Sequence, residues 1–263
     1  MLNREKMLSH LKSEDDKMIA AHTLDKAESV LRGADLAYTN FLDPHQQEVV
    51  EGIIRQIPEV KYRFVGGYDR AERKRLLLIP EYMLWEMIEE PLAFLEIEGN
   101  FSFQQVSHRD YLGSLLALGL RREMLGDILV LKDGGCHLIA ALEVKDTICL
   151  NLTRVHQVPV KVREIEKEEL KLPEERIKEI STTVASLRLD SVASAGFSTS
   201  RSKMAKEIKN EKVKVNFQIE TNPARMIKPD DVISIRGRGR VEIKEIEGET
   251  RKGRIKLTLQ RYY

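Results

Sequence analysis

The order of hydrophobic patterns between residues 92 and 165 most constrains the fold of this 263-residue chain. Apolar residues that alternate or run together predict strands, whereas apolar residues three and four positions apart predict helices. The predicted elements are Leu92–Glu98, a helix from Ser107 to Gly119, the hairpin Asp127–Leu131 with Cys136–Ala140, Glu143–Leu150 and Val158–Ile165. The resulting order β-α-β-β-α-β indicates a ferredoxin-like (RRM-like) middle domain. Many unrelated proteins share this plan, so it predicts only the fold class.

The residues before this segment are predicted to be mainly helical. Ser13 and Asp16 have the spacing of a capping box at the start of a helix. Asp43 and Pro44 begin a second helix, since Asp is favoured at the N-cap and Pro at the first helical position. Two strands are then expected, at Tyr62–Val65 and Arg75–Ile79.

Charge divides the chain into an acidic body and a basic C-terminal end. Residues 181–263 contain 18 Lys and Arg against 10 Asp and Glu, whereas the remainder contains 25 against 32. This asymmetry favours a polyanionic partner at the basic end, although random scatter of charge is the alternative. We expect an α+β chain with a helical region that includes the start of a strand hairpin (1–75), the ferredoxin-like domain (76–165), a charged connector (166–180) and a basic domain (181–263).

Composition narrows the class of protein. A hydrophobic content of 42% and a charged content of 32% are typical of a folded chain and exclude a disordered one. No run reaches the roughly 18 apolar residues of a membrane span, and the charged N-terminus lacks a signal-peptide core. We therefore expect a soluble, cytoplasmic protein with no membrane span. Cys136 and Cys149 lack metal-ligand spacing and are expected to be buried thiols.

The second helix of the basic domain is predicted to carry a basic face. At 100° per residue, Met204, Ala205 and Ile208 fall on one side of the helix and predict contact with a core. Lys203, Lys206 and Lys209 fall on the other side, where they match a row of phosphates. The alternative for an isolated helix is an ordinary solvated lysine face.

The strands that follow this helix add more basic residues. Lys212 and Lys214 alternate with valines and therefore share one face of a strand. Arg236, Arg238 and Arg240 alternate with glycines, which permit close approach to a ligand or simply mark a bend. Basic residues on three successive elements favour RNA, and we expect them to converge on a single open surface.

The segment Leu187–Arg240 resembles the S4 (alpha-L) RNA-binding domain. The resemblance rests on Arg188, Leu189, Asp190, Gly196, Ser200, Arg201, Ala205, Ile208, Val213, Val215, Asn216, Asp231, Ile233, Ser234 and Ile235. The chain departs from the family at Glu211 and Phe217, where many members carry Gly, and both departures concern turn geometry. Asp190 is expected to be structural, because a carboxylate repels phosphate. The nominated RNA-binding residues are Arg188, Ser200, Arg201, Lys203, Lys206, Lys209, Lys212, Lys214, Asn216, Arg236, Arg238 and Arg240.

The middle segment is similar to the middle domain of YlmH-type proteins. The similarity rests on the runs from Ser107 to Gly113, from Leu118 to Glu123 and from Gly126 to Ile128. It implies RNA binding on the bacterial ribosome and a part in rescuing stalled large subunits that carry peptidyl-tRNA, and some members lie in a cell-division gene neighbourhood. Possible secondary RNA contacts are Arg73, Lys74, Arg109, Arg121 and Arg122.

These secondary residues have other possible roles. Arg109, Arg121 and Arg122 are alternatively ordinary charges at helix ends. The basic cluster Arg70–Arg75 has two interpretations. It is either a mobile loop that contacts RNA or a loop that makes no contact with RNA.

No catalytic constellation is visible in the sequence. A methyltransferase would need a Gly-rich turn after a strand, and a pseudouridine synthase would need a catalytic Asp in a separate large domain. The one Arg-Leu-Asp, at Arg188–Asp190, already belongs to the S4 pattern. We expect no catalytic residue, cofactor or metal site. The expected partners are rRNA or tRNA and the ribosome (its large subunit above all), and a protein bound by the N-terminal part is a further candidate. The alternatives are an RNA-modifying enzyme and a protein-interaction adaptor linked to cell division.

Overall fold

A computed structural model describes residues 2–102, 104–174, 177–251 and 253–262. The chain divides into two compact units, Met1–Pro173 and Glu174–Tyr263. Within the described residues, no helix combines the length and the apolar character needed to cross a bilayer. The observed mixture of helices and antiparallel sheets confirms the predicted α+β class.

The first unit begins with three helices and a small sheet. Its elements are α1 (Arg4–Leu8), α2 (Glu14–Leu31), β1 (Ala37–Tyr38), α3 (Pro44–Ile54), β2 (Val60–Val65) and β3 (Arg75–Pro80). Ser13 caps α2 by accepting a hydrogen bond from the Asp16 N–H, and Asp43 forms a capping box with Gln46 at α3. Both predicted helix starts are therefore confirmed. Leu76 and Leu78 of β3 pack in one core with α2 and α3, so this hairpin completes the N-terminal layer.

The rest of the first unit confirms the ferredoxin-like plan. Its elements are β4 (Leu92–Gly99), α4 (His108–Ala117), β5 (Leu125–Val130), β6 (Cys136–Ala141), α5 (Lys145–Asn151), β7 (Arg154–Val155) and β8 (Val158–Glu164). The antiparallel sheet has the order β5-β6-β4-β8-β7, in which the two-residue β7 is an addition that the sequence did not predict. Ser107 and Asp110 form a capping box at the start of α4, where the sequence predicts a helix. Cys136 is buried, and burial raises the pKa of its thiol.

The second unit packs two helices on one sheet. Its elements are β9 (Ile177–Val184), α6 (Leu189–Gly196), α7 (Arg201–Lys209), β10 (Val213–Val215), β11 (Gln218–Ile219), β12 (Val232–Ile235), β13 (Gly239–Glu249) and β14 (Ile255–Tyr262). The antiparallel order is β11-β10-β12-β13-β14-β9. β9 already pairs Ile177 with Tyr262, so the connector is shorter than the predicted segment 166–180. Residues 175 and 176 of that segment lie outside the described part of the chain.

A single core in the second unit fixes which strand side chains face the helices. Leu189 and Val192 of α6 and Met204 and Ile208 of α7 form one cluster with alternate residues of the strands. These strand residues are Val213, Val215, Ile233, Ile235, Val241, Ile243, Leu257 and Leu259. Because side chains alternate along a strand, the residues between them project from the face of the sheet that the helices leave uncovered.

Candidate nucleic-acid interface

Three lysines of α7 form the first basic surface, which we call the helix patch (Lys203, Lys206 and Lys209). The Ser200 hydroxyl accepts a hydrogen bond from the Lys203 N–H at 3.3 Å, so this Ser begins the helix as its N-cap. The core-facing Met204 is fully buried, which directs the three lysines outward. All three are exposed, and none has a carboxylate partner within the part of the chain that the structure describes.

A second basic surface lies on the uncovered face of the sheet, and we call it the sheet patch (Lys212, Lys214, Arg236 and Arg240). Lys214 lies opposite Ser234, which lies opposite Arg240. The Arg236 N–H donates to the Lys212 carbonyl at 3.4 Å, which places these two residues side by side at the end of the same strand pair. The row continues to Tyr262, whose ring centroid is 4.6 Å from the guanidinium carbon of Arg240. Sequence reasoning missed Tyr262, because cross-strand register is not visible in a single strand.

The expectation of one converged surface is corrected by this geometry. Val213 and Val215 are buried beneath the helices, so Lys212 and Lys214 point away from the helix patch. The two patches approach each other at the turn between β12 and β13, where Arg238 donates to Glu207 of α7 at 2.8 Å. Arg238 is therefore partly buried and paired with an acid that the one-face description of α7 overlooked.

Other nominated residues hold the unit together through side-chain contacts. Arg188 donates two hydrogen bonds to the Asp190 carboxylate, at 3.2 and 3.0 Å, and Arg201 lies 3.1 Å from the same group. The structural role expected of Asp190 is confirmed. The Asn216 amide donates to Asp231 and accepts from the Val232 N–H, both at 2.8 Å, so Asn216 fixes the end of β10.

The two positions at which the chain departs from the S4 pattern have backbone conformations that favour glycine. Glu211 has a φ of 58° and Phe217 a φ of 68°, both in the left-handed region where glycine is least strained. Gly237 and Gly239 have φ values of 81° and 83°, and the space around an added Cβ at Gly237 is open. The glycine at 237 is therefore required by the conformation of the hairpin turn and not by close packing.

Asp190 should make the second unit sensitive to acid. Burial alone would raise the pKa of Asp190, but hydrogen bonds and ion pairs with Arg188 and Arg201 outweigh burial, and the pKa is lowered. A carboxyl with a lowered pKa stabilises the fold above its unfolded value of about 3.9, and this stabilisation is lost as the pH falls through the folded value.

We expect Asp190→Asn to lower the free energy of unfolding by about 1–3 kcal/mol at pH 7, since both charged contacts are lost. Near pH 3 the difference from wild type should shrink, because this pH lies below the unfolded pKa of about 3.9, so the unfolded wild type gains a proton at Asp190 more readily than the folded protein does. Urea unfolding followed by circular dichroism at the two pH values measures both quantities. Glu245→Gln, an exposed carboxyl on β13, is the control and should change little at either pH. An Asp190→Asn deficit of the same size at pH 3 would contradict the linkage.

The cluster Arg70–Arg75, for which a mobile basic loop was one of the alternatives, is held by hydrogen bonds. Asp127 of β5 accepts hydrogen bonds from the Tyr68 hydroxyl at 2.8 Å and from the N–H groups of Glu72 and Arg73 at 2.7 and 3.0 Å. Such a carboxylate fixes the loop through charge-assisted bonds. The Lys74 ammonium bonds the Asp69 carbonyl at 3.4 Å within the same loop.

The arginines nominated as secondary contacts separate into two groups. Arg73 donates to the carbonyls of Phe41 and Leu125, and Arg122 donates to the carbonyls of Leu125 and Gly126. Burial lowers the pKa of both guanidinium groups, to about 10 for Arg122. Both guanidinium groups therefore have a structural role, since they bind backbone carbonyls of the unit. Arg109 and Arg121 are exposed, and Arg121 lies 3.2 Å from Glu123.

Comparison with known families gives three matches along the chain. Residues 15–83 match the family described as "YlmH, N-terminal", and residues 89–169 match "Putative RNA-binding domain in YlmH". Residues 187–233 match the S4 domain. These matches cover both units of the structure.

Comparison with individual proteins gives a full-length relative and a similar structure. The chain is 34% identical over 248 residues to "Ribosome-associated protein quality control protein P2" of Bacillus subtilis (strain 168), covering 94% of this chain and 96% of the relative. A solved structure, "Cell division protein ylmH from Streptococcus pneumoniae", matches with a TM-score of 0.52 at 21% identity. That match covers 62% of this chain and 98% of the other, and at this identity it supports the fold alone.

Proposed function

This chain belongs to the YlmH family of S4-domain proteins, and from that premise we propose that it is a non-catalytic RNA-binding protein of the ribosome. Its target in this proposal is structured rRNA or tRNA. The observation that carries the proposal is the pair of basic patches in the S4-containing unit. Lys203, Lys206 and Lys209 are exposed and lack carboxylate partners among the described residues, as do three members of the sheet patch, Lys212, Lys214 and Arg236.

The mechanism follows from the disposition of these charges. The helix patch places three ammonium groups along one side of α7, where they neutralise phosphates of one strand. The sheet patch adds cations and the aromatic ring of Tyr262 on the second face. Folded RNA of A-form geometry is recognised mainly through its shape and backbone, so we expect modest base specificity. Arg188, Arg201 and Arg238 contribute by holding the patches in place through Asp190 and Glu207.

The ribosomal setting in this proposal is the large subunit during quality control of stalled translation. It is supported by the description of the Bacillus relative as a ribosome-associated quality control protein, together with the extent of the match to that protein. The first unit supplies the exposed Arg109 and Arg121 as secondary contacts in this proposal. Arg73 and Arg122 are left out of it, because their side chains are already bonded to carbonyls.

Salt dependence tests the electrostatic mechanism. If about four to six phosphates are neutralised, log K for tRNA or for purified large subunits should fall against log salt with a slope of roughly −3 to −5. Filter binding or pelleting over a salt series measures this slope. A slope near zero would contradict phosphate recognition. An unchanged RNA mass after incubation is expected of a binding protein, whereas a changed mass would favour the RNA-modifying alternative.

A further inference from the structure

The segment that links β3 to β4 presents large apolar side chains to solvent. We call this segment, residues 81–90, the Tyr82 loop. Within it, the exposed fraction is 78% for Tyr82, 59% for Leu84 and 73% for Met87. Soluble proteins expose single apolar residues routinely, but three within six positions form a patch. Tyr and Met are enriched at the centres of protein interfaces, where they fill pockets in the partner.

The Tyr82 loop is held in place by the unit that carries it. The Glu81 N–H donates to the Glu59 carbonyl at 3.2 Å, and the Lys61 ammonium donates to the Met83 carbonyl at 3.2 Å. Trp85 packs against the core of the unit, and the guanidinium carbon of Arg63 lies 4.5 Å from its ring centroid. An ordered loop presents its apolar side chains at little entropic cost of binding.

The Tyr82 loop itself contains acidic residues and no Lys or Arg, and this charge decides which kind of partner the loop accepts. Glu81, Glu86 and Glu89 are exposed, and none has a cationic partner within the described residues. Carboxylates repel RNA phosphates and anionic lipid headgroups, so neither suits this surface. A complementary partner has an apolar groove with Lys and Arg at its rim.

We propose that the Tyr82 loop docks onto a basic protein of the ribosome, with Tyr82, Leu84 and Met87 in an apolar groove and the glutamates against basic side chains. This inference rests on the proposed ribosomal function. In this proposal two surfaces of the chain bind different components of the ribosome: the S4-containing unit binds RNA, and the Tyr82 loop binds protein.

Charge reversal in the Tyr82 loop distinguishes a basic protein partner from rRNA by the direction in which the affinity for large subunits changes. The variant Glu81→Lys/Glu86→Lys/Glu89→Lys is expected to bind purified large subunits about tenfold more weakly, because its lysines face a basic partner. If the loop faced rRNA instead, the same variant would bind more tightly. Unchanged or tighter pelleting would overturn the proposal.

Truncation of the apolar side chains tests the groove. Tyr82→Ser/Leu84→Ser/Met87→Ser should weaken binding to large subunits about tenfold or more, while its affinity for free tRNA stays that of wild type. Leu31→Ser/Leu142→Ser/Leu150→Ser is the matched control, since it removes three exposed leucines elsewhere in the same unit. Circular dichroism checks that both variants fold. Equal loss in the two variants would overturn the proposal.

Crosslinking identifies the class of partner. A photoreactive phenylalanine analogue at position 82, in protein bound to purified large subunits, should yield an adduct that resists ribonuclease and contains a basic ribosomal protein. The same analogue at position 150 should not yield that adduct. An adduct to RNA, to a second copy of the chain or within the chain would overturn the proposal, as would no adduct. Failure of the wild type to bind subunits or tRNA would instead contradict the proposed function and the inference together.

Discussion

Replacing Lys203 and Lys206 by Glu is expected to lower the affinity for RNA by on the order of 100-fold or more. Each reversal removes a phosphate contact and places a carboxylate against the RNA backbone, where like charges are costly. The slope of log K against log salt should also become less steep by about two. Both side chains are exposed and lack ion pairs in the described residues, so the fold should tolerate the change. Filter binding to tRNA and pelleting with large subunits measure the loss.

The control for this experiment must change net charge equally within the same unit. Lys178→Glu/Lys228→Glu does so, because both lysines are exposed and lie outside the two basic patches. Its affinity is expected to fall only slightly, through the long-range field of the unit. If the control lost as much affinity as the helix-patch variant, general charge and not a defined surface would explain binding. Unchanged affinity of Lys203→Glu/Lys206→Glu would exclude the helix patch.

The division into two patches permits a further comparison. Lys214→Glu/Arg240→Glu alters the sheet patch and leaves α7 untouched. A loss in both double variants would indicate RNA that reaches around the edge where Arg238 meets Glu207. A loss confined to one would assign the contact to that face.

The local signals in the sequence were sufficient for helix starts and for fold class. The caps at Ser13 and Asp43 were predictable because each depends on a polar side chain within three residues of the N–H from which it accepts a hydrogen bond. The β-α-β-β-α-β order was predictable because each element has its own hydrophobic period. Both the caps and the hydrophobic periods depend only on residues that are close together in the sequence.

The features that sequence reasoning missed depend on contacts between distant residues. Asp127 fixes the loop at residues 66–74 through partners more than 50 positions away, so nothing local indicated that the loop is ordered. In the sequence, Glu207 is a single acidic residue in a basic helix with no evident partner. In the structure it forms an ion pair with Arg238. The separation of the two patches, in contrast, could have been predicted from the sequence. The buried valines at 213 and 215 already require Lys214 to face away from α7, and the inference of a single surface neglected that requirement.

Replacing Arg75 by Met is expected to destabilise the first unit by about 3 kcal/mol. Arg75 is 1% exposed, donates to the carbonyls of Thr39 and Pro91, and binds both oxygens of Glu143 at 3.0 Å. Removing one partner of a buried pair costs about 3–5 kcal/mol, and the lower value applies because the Glu143 side chain is 42% exposed and can rehydrate. For a unit of this size the unfolding midpoint should fall by about 6–12 °C.

The fluorescence of Trp85, the only tryptophan, reports on this unit during thermal unfolding. Arg75→Lys should recover little of the loss, because the carboxylate and the two carbonyls are bound by three separate nitrogens of the guanidinium, and one ammonium nitrogen cannot occupy all three positions. Arg55→Met is the control, since the Arg55 side chain is 67% exposed and its contact with Glu51, one helical turn away, is a surface ion pair that contributes little to stability.

The interpretation of the Arg75 result depends on the partner. Buried ion pairs can be replaced by apolar residues at no net cost when both charges are removed together. Arg75→Met/Glu143→Met should therefore be more stable than Arg75→Met alone, and the difference measures the coupling between the two groups. A midpoint for Arg75→Met within 2 °C of wild type would show that the guanidinium only fills space between Tyr38 and Phe41, whose ring centroids lie 4.4 and 5.9 Å from its carbon.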